Sequence, residues 1–349
     1  MTDTTTVQWD DTLDAIEKCY DLGWTDGLPV VPPTEARVAQ FLEVAGLEPS
    51  HSIGDIPERR RQVTAGKVAA NAVMAGCLPE YIPVVLAATE AMLDPVFNLV
   101  GPSSSMGGAA VLVMVNGPVA QRLKINSRNN LFGPGNRANA TIGRAIRLIL
   151  MNACAAVPGL FDRSVIGHPG KYSYCIAEAE TETHWTPLHV ERGFSPDQSA
   201  VTVFASESPR QVRATGHPEV ILHSIADAAS SLGTSMSTSG SVGDRSAALR
   251  QGQIVVTVAG NSDLWKDWSK DQVRRHLYSK IRRSVADLKE ARVLPGDLEP
   301  GEVEEIIQQV ADGHHQIACA IRDGDPVVAS EAAATHVADV ESQVFEKLV

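Results

Sequence analysis

The chain has 349 residues, 44% of them hydrophobic and 21% charged, a balance that can bury a core and excludes a disordered polypeptide. Acidic residues outnumber basic ones by 42 to 30, for a formal charge of −12. That excludes a general nucleic-acid binder, which needs a basic face to neutralise phosphates. At roughly 150 residues per domain, the length predicts about two domains.

In chain order, the opening MTDTTTVQWDD lacks basic residues and an apolar run, so no signal peptide is expected. Asp10 or Asp11 caps a first helix carrying Leu13, Ile16 and Tyr20, and Gly23 ends it. TDGLPVVPPT follows, extended by its prolines. Thr34 then caps a second helix closed by Gly46. The stretch 51–110 reads as a proline-punctuated loop and two apolar helices, 64–76 and 82–93, parted by GCLPEYIP. VFNLVGPSSSMGG is a loop leading to a buried strand at 111–115. A polar Gly/Pro-rich loop precedes a strong helix from Arg137 to about Cys154. Residues 156–195 are loop-dominated, and so long a structureless stretch usually carries function.

The last third alternates. Strands are predicted at 201–205, 253–259 and 316–321, and helices at 217–232, 302–312 and 331–347. A capping box from Ser269 to Gln272 opens another helix through about Arg283. This alternation predicts parallel pairing. The expected fold is α/β, with an irregular loop-rich N-terminal domain over 1–195 carrying the active site and a smaller C-terminal α/β unit over 196–349. No run of about 18 apolar residues occurs, so no membrane partner is expected. The five cysteines, Cys19, Cys77, Cys154, Cys175 and Cys319, are scattered without a CxxC pair. They read as reduced thiols of a cytoplasmic protein.

The segment INSRNNLFGPGNRANATIGRAIR carries the main chemical expectation. Asn126 and Arg128 lie in a glycine-rich loop, Asn136 can cap the helix, and Arg137, Arg144 and Arg147 follow. Free N–H groups at a helix N-terminus favour an anion, and guanidinium groups suit a carboxylate, phosphate or sulfate. The plain alternative is an ordinary cap with surface arginines. Ser104 and Ser105 in GPSSSMGG offer a second donor-rich loop, or simply a mobile one. No phosphate-binding or dinucleotide motif occurs, no histidine pair has metal-ligand spacing, and no cofactor is expected.

Cys77 is a possible nucleophile, although a helix C-terminus is the wrong end to lower a thiol pKa. Asp26, Glu58 and Glu80 are candidate bases because prolines fix their surroundings; Glu178 and Glu180 are further carboxylates. Each also reads as a solvated surface charge. His168 and Lys171 in GHPGKYSYC can protonate a leaving group or hold an anion, or form an ordinary turn. The pocket is expected between the 101–108, 126–137 and 165–180 loops.

The segments TDGLPVVPPT, NAVMAGCLPEYIPVVLAA, GPGNRANATIGRAIRLIL, GHPGKYSYCIAE and PLHVERGF resemble a large, mostly uncharacterised bacterial family. The likeness is dense over about 20–195 and thins to DWSKDQVRRHLY. Longer members carry a Gly-rich strand region after that patch, which the sequence here lacks. The pattern is similar to the larger subunit of the two-component enzymes that close an aziridine ring in azinomycin- and vazabitide-type antibiotic pathways. The resemblance implies an anionic, sulfated substrate, either free or bound to a carrier protein, and a small partner subunit. It implies a cofactor-free displacement of sulfate by a neighbouring amine. Thiol-dependent reduction or group transfer at Cys77, or a non-catalytic subunit, are the alternatives.

Overall fold

The computed structural model describes residues 11–230, 254–258 and 262–281, and the fold is α/β. The chain divides into two compact units between Pro209 and Arg210.

In the first unit, α1 (Thr12–Asp21) starts where the Asp11 carboxylate accepts from Leu13 N–H. Thr34 caps α2 (Glu35–Ala45) in the same way. Gly46 ends it at φ +66°, a left-handed conformation costly for a residue with a Cβ. The next stretch is not only a loop. β1 (Ser52–Ile56) and β2 (Arg61–Thr64) form an antiparallel hairpin. Two helices follow, α3 (Ala65–Met74) and α4 (Ile82–Leu93), parted where Pro79 and Pro83 prevent continuation.

The 101–108 segment, expected as a loop, begins as a short helix, α5 (Val100–Ser104). The Ser103 and Ser104 hydroxyls donate back to the Leu99 and Val100 carbonyls, which helps this polar sequence hold a helical turn.

β3 (Ala110–Asn116) is buried at every residue, as a continuous apolar run in a covered strand should be. It is the middle strand of a sheet ordered β4–β3–β5. β4 (Cys175–Ala177) lies parallel to it, from Val113 opposite Cys175 to Val115 opposite Ala177. Parallel neighbours need a long crossover. It is made by α6 (Pro118–Arg122) and α7 (Arg137–Asn152).

On α7, Ala138, Ile142, Ala145, Ile146 and Ile149 recur at helical spacing and are buried. The alanines of α3, Ala69 and Ala72 among them, let that helix come close to α7. Gly143 serves the other contact of α7. A Cβ there would lie 2.5 Å from both Tyr174 N and Ser173 Oγ, just before β4.

β5 (Ala200–Ser206) corrects the reading of the last third. It was expected to open a parallel C-terminal unit. Instead it pairs antiparallel with β3 along its full length, from Ala110 opposite Ser206 to Asn116 opposite Ala200. Val201 and Val203, two apart, pack on the same core.

In the second unit, α9 (Pro218–Ala229) buries Leu222 and Ala226, α10 (Lys270–Lys280) buries Val273 and Leu277, and the turn Ser262–Trp265 buries Trp265. The short helix α8 (Leu188–Glu191) belongs to the first unit, between β4 and β5. The Ser269–Gln272 capping box is formed. The predicted strand at 253–259 is absent where it is described, over 254–258, which makes no ladder. The elements expected at 302–312, 316–321 and 331–347, with Cys319, lie outside the described residues. No helix among the described residues is long and apolar enough to cross a membrane.

One polar contact fixes the N-terminal loop to α7. Arg144 grips Asp26 through two hydrogen bonds, Nε to Oδ2 at 2.9 Å and Nη2 to Oδ1 at 2.8 Å. Its Nη2 also donates to the Leu28 and Pro29 carbonyls. The Asp26 side chain is only 2% exposed. Removing one partner strands a buried charge. Arg144→Met is therefore expected to lower unfolding free energy by about 3 kcal/mol. Arg144→Lys should recover only part of that, because an ammonium cannot make the paired contact. Urea unfolding of the three proteins checks this.

Candidate functional site

The structure gathers charge at the amino ends of β3 and β4. A small cleft opens there, lined in part by Pro102, Ser103, Ala109, Arg147, Asp162 and Lys171. Its floor is the start of β3, and one wall is the face of α7 bearing Gly143, Ile146 and Arg147. The facing wall is the loop before β4.

Asp162 is the organising anion. Its side chain is 4% exposed and meets Arg147 Nη1 at 3.1 Å and Lys171 Nζ at 2.9 Å. Ser164 donates to it from both hydroxyl and backbone N–H. Lys171 Nζ also donates to Ser164 Oγ at 2.7 Å. Burial alone would raise the Asp162 pKa. The hydrogen bonds from Ser164 and Lys171, with the Lys171 charge, outweigh it and hold the carboxyl below its ordinary value.

Behind this set lies Arg59, buried at the end of the turn Pro57–Arg59. Its Nη2 donates to Ser103 Oγ at 2.7 Å and its Nη1 to the Cys154 carbonyl at 2.9 Å. The guanidinium sits over the Phe161 ring, 5.3 Å from its centroid. Its Nε has no hydrogen-bond partner. Asp162 and Glu58 are the carboxylates that act on it electrostatically. The lining thus sets two cations against one carboxylate, with a third cation behind Ser103. In a chain with a charge of −12, this is a local excess of positive charge. A guanidinium carries five N–H groups, and the contact with Asp162 uses one of those on Arg147.

Of the residues singled out from the sequence, Arg147 and Lys171 lie in the cleft, and Glu58 lies beside Arg59. The rest are dispersed or engaged elsewhere. Asp26 and Arg144, expected as base and anion holder, neutralise each other in the clamp described above. Arg137 gives Nε and Nη2 to the Gly76 carbonyl, at 3.2 and 3.0 Å, at the C-terminal end of α3. Asn136 occupies the N-cap position of α7, but its side chain makes no cap bond.

The 126–136 loop uses its polar side chains on itself. Asn126 Nδ2 donates to the Asn129 carbonyl, Asn126 Oδ1 accepts from Arg128 N–H, and Asn130 Nδ2 donates to the Pro134 carbonyl. Arg128 pairs with Glu182 in an exposed salt bridge. The expected ring of guanidinium groups around the α7 mouth is therefore absent, and no residue of the 126–137 loop lines the cleft.

Ser104 is bonded to its own helix, and Ser105 Oγ accepts from Gly107 N–H. Glu80 is exposed on the turn Pro79–Tyr81.

His168 is pinned at both nitrogens. Nδ1 accepts from Gly170 N–H at 3.1 Å, so Nε2 carries the proton and donates to the Ser206 carbonyl at 3.2 Å. Burial lowers its pKa, the Ser206 carbonyl opposes this, and the Lys171 charge adds to the lowering. A neutral ring with both nitrogens engaged ties the loop to β5 and has no free site for proton transfer.

Cys77 is buried, and burial pushes its thiol up to about 12 against weaker opposing effects of Thr141 and Arg137. The thiolate required of a nucleophile is not favoured there.

Sequence reading missed Asp162, Ser164, Ser103 and Arg59 as parts of one site. Asp162 did leave a signal, because Asp-x-Ser after a Pro-Gly turn is a self-bonding pattern. It also missed Asn139, whose side-chain amide exchanges two hydrogen bonds with the Asn126 backbone and a third with the Cys175 carbonyl. The signal was a polar residue on the apolar face of α7.

Two outcomes follow. The Asp162 carboxyl titrates lower when folded than when unfolded, so its ionised form favours the native state above the ordinary carboxylate range, near about 4. That contribution is lost as pH falls through the lowered native value. Urea unfolding against pH should show wild-type stability dropping in this acid window more steeply than that of Asp162→Asn. For Cys77, iodoacetamide at pH 8 should leave the folded protein unlabelled at this residue and label it fully in guanidinium, as read by peptide mass spectrometry.

Comparison with protein-family models, with curated proteins and with solved structures finds no match for this chain.

Proposed function

We propose that the protein is a cofactor-independent enzyme that expels a sulfate from a substrate whose neighbouring amine closes an aziridine ring. The observation that carries this reading is the excess of positive charge around Asp162 in a cleft of an acidic chain. Both cations of the lining come from segments that resemble the large bacterial family, whose overall pattern is similar to the aziridine-forming subunit. Arg147 lies in GPGNRANATIGRAIRLIL and Lys171 in GHPGKYSYCIAE.

In this reaction the amine lone pair attacks the carbon that carries the sulfate ester. The N–C bond forms as the C–O bond breaks, the bonding electrons leave with sulfate, and one amine proton departs. Charge develops on the leaving oxygens, where fixed cations stabilise the transition state more than the ground state. Arg147 and Lys171 are held in place by Asp162 and Ser164, so little reorganisation is required of them. A fixed sulfate also orients the amine for attack opposite the leaving oxygen, a proximity effect.

Of the three carboxylates offered as bases, Asp26 is closed off by Arg144 and Glu80 is exposed on a separate turn. Glu58, whose charge faces Arg59, is the base assigned here. A small partner subunit and carrier attachment of the substrate belong to the same proposal through the family resemblance.

The test uses 2-aminoethyl sulfate and follows release of inorganic sulfate. Arg147→Gln and Lys171→Met are each expected to slow release by about 10²–10³-fold, the usual cost of one donor to a developing oxyanion. Glu58→Gln should lower the rate and remove the acid limb of its pH profile, where protonation of the base would shut the reaction down. Unchanged release in both cation variants, with folding intact by circular dichroism, would sink the proposal.

A further inference from the structure

An imidazole fastens the cleft wall that carries Gly170 and Lys171 to the sheet. His168 opens the single turn Pro169–Lys171, and its Nδ1 accepts from Gly170 N–H at 3.1 Å. A backbone amide can only donate, so Nδ1 is bare and the proton sits on Nε2. Nε2 donates to the carbonyl of Ser206, the last residue of β5, at 3.2 Å. The ring is packed closely on the turn. A Cβ on Gly170 would lie 2.6 Å from His168 Cε1 and 2.9 Å from Nδ1. The Tyr174 ring stands edge-on to the imidazole, with centroids 5.7 Å apart. Lys171 N–H donates to the His168 carbonyl and Tyr172 N–H to the Pro169 carbonyl, so the turn is a bonded unit.

Protonation makes an imidazole a donor at both nitrogens. The new N–H at Nδ1 would point at Gly170 N–H, donor against donor. The ring is rigid, so a swing that parts them also takes Nε2 off the Ser206 carbonyl. The two ties are lost together. The surroundings do not offset the charge. On the ring's own turn, Lys171 adds a second positive charge. Before β4, Tyr174 donates its hydroxyl to the Glu207 carbonyl, and burial raises its pKa, so it stays neutral. From β5 the ring meets the Ser206 carbonyl, with Glu207 next in the chain. The Asp162 carboxylate is taken by Arg147, Lys171 and Ser164.

We propose that His168 is an acid-sensitive latch, whose ring on taking up a proton frees the turn Pro169–Lys171 from β5 and loosens the cleft wall at Lys171. Lys171 is one of the two cations on Asp162, so release of the turn also changes the charge balance of the cleft. Burial and the Lys171 charge hold the pinned ring below the ordinary histidine value of about 6.5, which a freed ring regains. Above that value both states are neutral and the latch is closed. As pH falls below it, the freed state takes up the proton first. Its share grows by up to about tenfold per pH unit, until the lowered value of the pinned ring is reached. The device belongs to the wall itself and does not rest on the sulfate reading of the cleft.

The test follows amide hydrogen exchange of Gly170 and Lys171 in the full chain, from about pH 7.5 to about pH 5, as protection relative to the intrinsic rate at each pH. Wild-type protection should be constant above about pH 6.5 and fall by up to about tenfold per unit below it. His168→Asn is the comparison. Its Oδ1 can accept from Gly170 N–H as asparagine does in turns, but it carries no proton to gain. Its protection should be lower, for want of the tie to Ser206, and independent of pH. With ¹⁵N-labelled histidine, the wild-type His168 ring should carry its proton on Nε2 at about pH 7.5 and titrate below about 6.5. Wild-type protection that does not change with pH overturns the proposal, as does the same pH dependence in folded His168→Asn. If that variant does not fold, the wild-type ring decides: a proton on Nδ1, or titration at or above the ordinary value, overturns the latch.

Discussion

Arg144 and Arg147 reach from α7 to carboxylates on two loops that have little regular structure of their own. Arg144 holds Asp26, 118 residues away in sequence, and Arg147 holds Asp162. Ion pairs this buried gain little net stability, because desolvation offsets most of the Coulomb attraction. Their effect is positional: a loop whose carboxylate must meet one guanidinium can take few other conformations. The second pair matters more for the site. Asp162 draws in Lys171 and Ser164, and with them the wall of the cleft. Without that carboxylate, the two cations would repel each other across an open groove.

The same economy of charge explains where an anion is and is not welcome. Arg137, Arg144 and Arg147 all lie on α7, yet each is engaged within the protein, with a carbonyl, an aspartate and an aspartate respectively. Only at Asp162 do the cations outnumber the anion they face. Positive charge accumulates at the amino edge of the sheet and carboxylates at the carboxyl edge, where Glu178 and Glu180 meet Asn116. The helix dipole favours the same distribution, since the N-terminus of α7, its positive end, lies by Asn126 and Cys175, toward the carboxyl edge.

Elements whose burial is written as periodicity were readable from the sequence. β3 reads as an unbroken apolar run, α7 as a 3.6-residue repeat, and α10 as a capping box, because each signal is local. The caps Asp11, Thr34 and Gly46 were legible for the same reason. What the sequence did not disclose were partners distant along the chain. Nothing local states that Arg144 meets Asp26, or that 200–206 pairs with β3 and not with a strand further along the chain. Lys171 was found as a cation beside a turn, but its carboxylate was not. The asparagines of the 126–136 loop looked like ligand contacts because their composition is the same whether they bond to a guest or to the next turn of backbone.

Gly143 sets a limit on how this chain can vary. The backbone before β4 presses so closely on α7 that even one methyl group would collide with the Tyr174 amide nitrogen. Any side chain at that point would push the helix outward and carry Arg144 and Arg147 off their carboxylates together. A polypeptide sharing this crossover must therefore keep a glycine one residue before the first of those arginines. That pairing, Gly-Arg with a second Arg three further on, is a compact signature by which other chains built in the same way can be found.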